Sequence, residues 1–166
     1  MKHMREQPRI DRAVPVDVRT LLVEDHARLG KLFNELVVAF RDGDRYECAA
    51  LWDTFESSLA AHMALEEQLI LPEFAKVDPA EAAALAREHV AIRESLSQLG
   101  VGVDLHRTNA EAVERFIRML EHHAQLEDAL MYRWANANLP RTAQSTIRAQ
   151  LGAAVRKLVG KNNALL

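Results

Sequence analysis

Cysteine is almost missing from this chain: Cys48 is the single one, which excludes an internal disulfide and any cysteine-built cluster or zinc knuckle. A reducing cytoplasm is the compartment expected for such a chain. Helix breakers are scarce as well, with 6 Gly and 5 Pro among 166 residues. With 49% apolar residues and abundant Ala, Leu, Glu and Arg, that scarcity favours an all-helical protein. No apolar run approaches the roughly 20 residues of a membrane span. The charged N-terminus (Lys2, Arg5, Glu6, Arg9) lacks the apolar core of a signal peptide. A net charge of −3, with acids and bases interspersed, gives no electrostatic case for nucleic acid or a membrane surface.

What the chain does hold is an internal echo. His62-Met-Ala-Leu-Glu66-Glu67-Gln-Leu-Ile returns as His123-Ala-Gln-Leu-Glu127-Asp128-Ala-Leu-Met, and Asp25-His26 returns as Glu88-His89. Each half therefore supplies one lone histidine and one His-x3-Glu pair. Hydrophobic periodicity places these on four amphipathic helices. The first runs from about Pro15 to Arg41, with Leu22, His26, Leu29, Phe33, Leu36 and Phe40 on one face. Asp42-Gly43 ends it, and Asp44-x-x-Glu47 caps a second helix carrying Trp52, Phe55, Leu59, His62 and Glu66, which falters near Pro72. Asp78-Pro79-Ala-Glu81 opens a third, with Leu85, His89 and Ile92 inward. Thr108-x-x-Glu111 caps a fourth, whose stripe is Phe116, Leu120, His123, Glu127, Leu130 and Trp134. A fifth, over about 141–159 (Ile147, Leu151, Val155, Leu158), packs outside the bundle or mediates association.

The expected architecture is an all-α, up-down-up-down four-helix bundle over residues 15–138. A polar leader of 1–14 precedes it and a C-terminal helical segment of 139–166 follows. Chain lengths then test the register of the histidines. The paths out to each turn and back are about 17 and 19, 14 and 11, and 16 and 15 residues, so at roughly 1.5 Å per residue every mismatch is under about one turn. His26, His62, His89 and His123 should meet at nearly one level inside the bundle.

Residues four apart on a helix share a face, so each His-x3-Glu presents both donors inward. A lone pair of this kind is ordinarily a solvated surface pair, and a lone histidine on an apolar stripe is ordinarily a hydrogen-bonded core residue. Here six polar groups (His26, His62, Glu66, His89, His123 and Glu127) occupy core positions at one height. Burying each without a partner costs about 2–7 kcal/mol, so six together match or exceed the ~5–15 kcal/mol stability of a whole domain. Bound cations would satisfy them all. Nitrogen and oxygen donors without thiolate suit two iron ions first, then manganese, with zinc an alternative. His122, Glu67 and Asp128 are weaker candidates suited to supporting hydrogen bonds, and Arg93 comes close to the site without ligating. His3 and His106 read as solvent-exposed, and methionines and aromatics as core packing.

The residues quoted, with Leu21-Leu22-x-x-Asp25-His26-x-x-Leu29 and Glu66-Glu67-x-x-Ile70-Leu71-Pro72, resemble the hemerythrin-like, or HHE cation-binding, domains over about 18–136. The resemblance implies a non-haem di-iron centre with Glu66 and Glu127 as bridging carboxylates and the four histidines as terminal ligands. Oxygen-carrying members have a fifth histidine where this chain has Arg93, and use a His-x4-Asp spacing that His123 and Asp128 also meet. Glu127 is preferred because the two halves then match. The implied function is binding, storage or sensing of O2, peroxide or NO at the metals by a monomer or homodimer. A peroxide- or NO-detoxifying enzyme and a metal-dependent interaction module are the alternatives.

Overall fold

The computed structural model describes residues 17–104 and 110–162. The expected leader, His3, His106, the Thr108 cap and the side chains of Val155 and Leu158 lie outside the described residues. Among the described residues seven helices follow in order: α1 Val18–Asp42, α2 Arg45–Leu69, α3 Leu71–Phe74, α4 Pro79–Asp104, α5 Ala110–Ala129, α6 Met131–Asn138 and α7 Arg141–Asn162. The helix ends follow from local chemistry. Asp17 caps α1 by accepting from the Thr20 backbone N–H at 2.8 Å. Gly43, at φ 75°, turns the chain in a left-handed conformation that a Cβ would disfavour. Asp44 then accepts from Glu47 N–H at 3.0 Å and Asp78 from Glu81 N–H at 3.1 Å, so both expected starts are present.

Helix α1 packs on α2, α2 on α4, α4 on α5, and α5 back on α1, closing a four-helix ring. Helix α7 lies against α1 and α2, with Ile147 and Leu151 buried in the same cluster as Val18, Leu22 and Met131. No helix among the described residues is long and apolar enough to cross a membrane.

Two departures from the expected stripes matter for the site. Helix α1 has α2, α5, α6 and α7 around it, and so buries a face wider than one stripe. Asp25, Leu32 and Ala39, each three residues after Leu22, Leu29 and Leu36, are buried, whereas Phe40 is 40% exposed. The second departure is at Leu130. Its backbone (φ −116°, ψ −74°) interrupts the fourth helix, so the helical phase is reset between α5 and α6. Leu130 is thereby left 42% exposed, and Met131, Tyr132 and Ala135 turn inward instead.

Two hydrophobic clusters result. One, around Phe33, Phe55 and Phe116, occupies the end nearer Gly43; the other, around Phe74, Met131 and Ile147, occupies the opposite end. The buried polar residues fall between them along every helix of the ring.

Candidate metal centre

All six residues singled out by their spacing converge. Glu66, Glu127 and His89 are 0% exposed, His62 3% and His123 5%, while His26 is half-buried. Their donor atoms form two groups, each within 4.8 Å: His26, His62, Glu66 and Glu127 in one, and Glu66, His89, His123 and Glu127 in the other. Both carboxylates belong to both groups. Glu127 sits in the middle, with Oε1 3.0 Å from His123 Nε2 and 3.4 Å from His89 Nε2, and Oε2 3.3 Å from His26 Nε2. Glu66 places Oε1 3.4 Å from His62 Nε2 and Oε2 3.3 Å from His89 Nε2.

The outer ring nitrogens explain why the inner ones point this way. His62 Nδ1–H donates to Asp25 Oδ2 at 2.9 Å, His89 Nδ1–H to Glu67 Oε1 at 3.0 Å, and His123 Nδ1–H to Glu88 Oε2 at 2.7 Å. Once Nδ1 carries the proton, neutral imidazole offers a lone pair at Nε2, the form a metal requires. These carboxylates are held in turn. Arg28 donates to Asp25 at 2.7 Å, and Arg93 grips Glu67 through two bonds of 2.8 Å. Asp128 is paired with Arg19 at 2.7 Å, away from the donor groups, and His122 is exposed.

Asp25 and Glu88 were missed as functional residues although they stand in the echoed Asp25-His26 and Glu88-His89 pairs. Each reaches across to orient the second histidine of its own half, His62 and His123. Tyr132 escapes the periodicity too, because a single stripe continued through Leu130 turns it away from the core. Its hydroxyl lies 3.1 Å from His26 Nε2 and 3.4 Å from His62 Nε2, and donates to Glu66 Oε1 and, at 3.2 Å, to Glu127 Oε2.

The donor set fits a bound cation. Glu66 Oε2 and His123 Nε2 are fully buried without a hydrogen-bond partner among the described residues. His123 Nε2 faces Glu127 Oε1 at 3.0 Å, lone pair towards lone pair, because its one proton is committed to Glu88. Such an opposition is repulsive unless a cation or an added proton lies between.

Protons compete for the same nitrogens. Burial pulls His62 down, but Glu66, Asp25 and Glu127 outweigh it and push the ring up to about 9. Burial likewise opposes protonation of His89, yet Glu127 and Glu66 push it up to about 10. Burial raises Glu127, but His123, His26 and His89 together hold its carboxyl well below 4.5. Burial and the neighbouring Glu66 and Glu127 push the Tyr132 phenol well above its ordinary value. A raised histidine stabilises the fold fully below its unfolded value of 6.5 and loses that contribution as pH climbs through 9 and 10. A depressed carboxyl contributes above 4.5 and fails as pH falls further. Metal-stripped protein is therefore expected to melt highest between pH 4.5 and 6.5 and progressively lower towards pH 10. Thermal melts across that range check this, and a melting temperature that climbs between pH 6.5 and 9 contradicts it.

A cavity of about 140 Å³ adjoins the centre, lined by His26, His62 and His123 with Leu29, Met63 and Leu120. The family model of the hemerythrin HHE cation binding domain matches residues 17–149 of the chain. Comparison with curated proteins and with solved structures gives no match.

Proposed function

We propose that this chain, which belongs to the hemerythrin HHE cation binding domain family, holds two iron ions and engages O2, peroxide or NO at them. The observation that carries the reading is the sharing of Glu66 and Glu127 between two donor groups, each completed by two histidines. Two shared carboxylates would bridge a pair of cations and offset their mutual repulsion. The all-nitrogen-and-oxygen donor set favours iron, with manganese or zinc as the competing occupants.

Iron, when bound, supplies open coordination positions and one-electron redox chemistry. The protein does the rest. Asp25, Glu67 and Glu88 fix the histidine tautomers, which keeps the Nε2 atoms directed at the centre. Arg93, held by Glu67, leaves that side of His89 without a further imidazole. The cavity beside His26, His62 and His123 is small, which suits a diatomic molecule or peroxide rather than an organic substrate. Free, buried Cys48 suits a reducing cytoplasm, the compartment we assign.

Anaerobic titration with ferrous iron tests the reading. Two ions per chain are expected, followed by a change in the visible absorption when O2 or NO is admitted. Iron content that stays near zero, or a loaded protein whose spectrum ignores both gases, would end it.

A further inference from the structure

The two donor groups are alike in their carboxylates and histidines, but Tyr132 breaks the likeness. Its hydroxyl oxygen contacts a donor atom from every member of the first group, His26, His62, Glu66 and Glu127. No hydrogen bond or ion pair joins it to His89 or His123, the histidines of the second.

The O–H can donate to one carboxylate at a time, while neutral His62, whose Nδ1 proton goes to Asp25, turns its Nε2 lone pair to the same oxygen, so hydrogen bonding alone does not account for all four contacts. The spacing does fit a shared cation. Ligands bound at about 2.1 Å on neighbouring corners of an octahedron lie about 3 Å apart. The phenol oxygen stands 3.1 Å from His26 Nε2 and 3.2 Å from Glu127 Oε2, and those two atoms are 3.3 Å from each other. To these two atoms the oxygen has the separation of a fellow ligand, and its closer approach to Glu66 Oε1 is the hydrogen bond that ligation would replace.

We infer that Tyr132 is a fifth protein donor to the ion held by His26, His62, Glu66 and Glu127, binding through its phenolate oxygen. This rests on the reading of the centre as a two-metal site. As the oxygen takes the metal, the phenol proton passes to solvent and no electron is transferred. A cation in contact supplies the stabilisation that burial between two carboxylates withholds. The two ions are then inequivalent. The first has five protein donor residues, and the second, with Glu66, His89, His123 and Glu127, keeps more positions for an outside ligand.

The chain contains only two tyrosines, and Tyr46, in α2 near the Gly43 turn, is 93% exposed. Full-length ferric-loaded protein should therefore show a visible phenolate-to-iron absorption band and tyrosinate ring modes in resonance Raman spectra. Tyr46→Phe should keep both, and Tyr132→Phe should lose both. Two ferric ions bound without tyrosinate modes, or modes that survive in Tyr132→Phe, would overturn the inference while sparing the di-iron reading.

Zinc titration gives a second readout that needs neither iron nor the variant to fold. Binding should ionise one phenol per chain, seen as rising tyrosinate absorption in the ultraviolet. Saturation without that rise overturns the inference. Uptake of zinc with the rise but no uptake of iron supports the inference and ends the iron reading, and uptake of neither ends both.

Discussion

Glu127→Ala is expected to abolish binding at both metal positions at once and to destabilise the metal-free bundle. Its two oxygens face His123, His89 and His26 within 3.4 Å, and it belongs to both donor groups. Truncating it removes a donor from each group and the anion beside buried His89 and His123 and half-buried His26. Breaking a buried ion pair by deleting one partner costs about 3–5 kcal/mol. His89 and His123, which Glu127 helps to keep protonated, would then give up protons more readily, since burial disfavours their charged form. Glu67→Ala makes the contrast. Among the described residues Glu67 bonds only the outer nitrogen of His89 and the Arg93 guanidinium, so its loss should weaken metal binding about 10–100-fold without changing the limiting stoichiometry. Metal analysis after equilibrium dialysis separates the two. A Glu127→Ala protein that retains two ions per chain would remove the central role assigned to this carboxylate.

Metal loading is expected to raise thermal stability by a margin far beyond that of any surface substitution. An ion that binds only the folded state, free at a thousand times its dissociation constant, stabilises by about 4.1 kcal/mol. For a chain of this size each kcal/mol shifts the midpoint by about 2–4 °C, so one ion should add about 8–16 °C. The increment should widen as pH rises from 6.5 towards 9, because protonated His62 and His89 stabilise the stripped protein less there and compete less with the metal. Calorimetry of loaded and chelator-treated samples at two pH values measures both effects. Coincident melts would mean that the six groups are satisfied without a cation.

The ring of helices and the meeting of the six residues were legible in the sequence because both depend on counting. Asp44, Asp78 and Gly43 mark helix ends whose positions fix the height of each histidine. What escaped depends on relations that counting along one helix does not contain. Asp25 and Glu88 act on partners 37 and 35 residues away, on neighbouring helices. Periodicity gives α1 a single stripe, which omits Leu32 and Ala39 and puts Phe40 inward. Tyr132 depends on the interruption at Leu130, where no proline or glycine announces a break. At Ile70 the matching break was legible, since Pro72 follows it.

The layering of the bundle, with a charged stratum between two hydrocarbon slabs, decides which reagents can disturb it. Dissolved salt weakens attraction between exposed ions because mobile counterions gather around them within about 10 Å at 0.1 M. Atoms of Glu66, Glu127 and His89 have no contact with that atmosphere, sealed as they are above by Phe55 and Phe116 and below by Met131 and Ile147. High ionic strength should strip the Lys31–Glu35 and Lys76–Glu73 pairs from the surface while leaving the middle of the rod untouched.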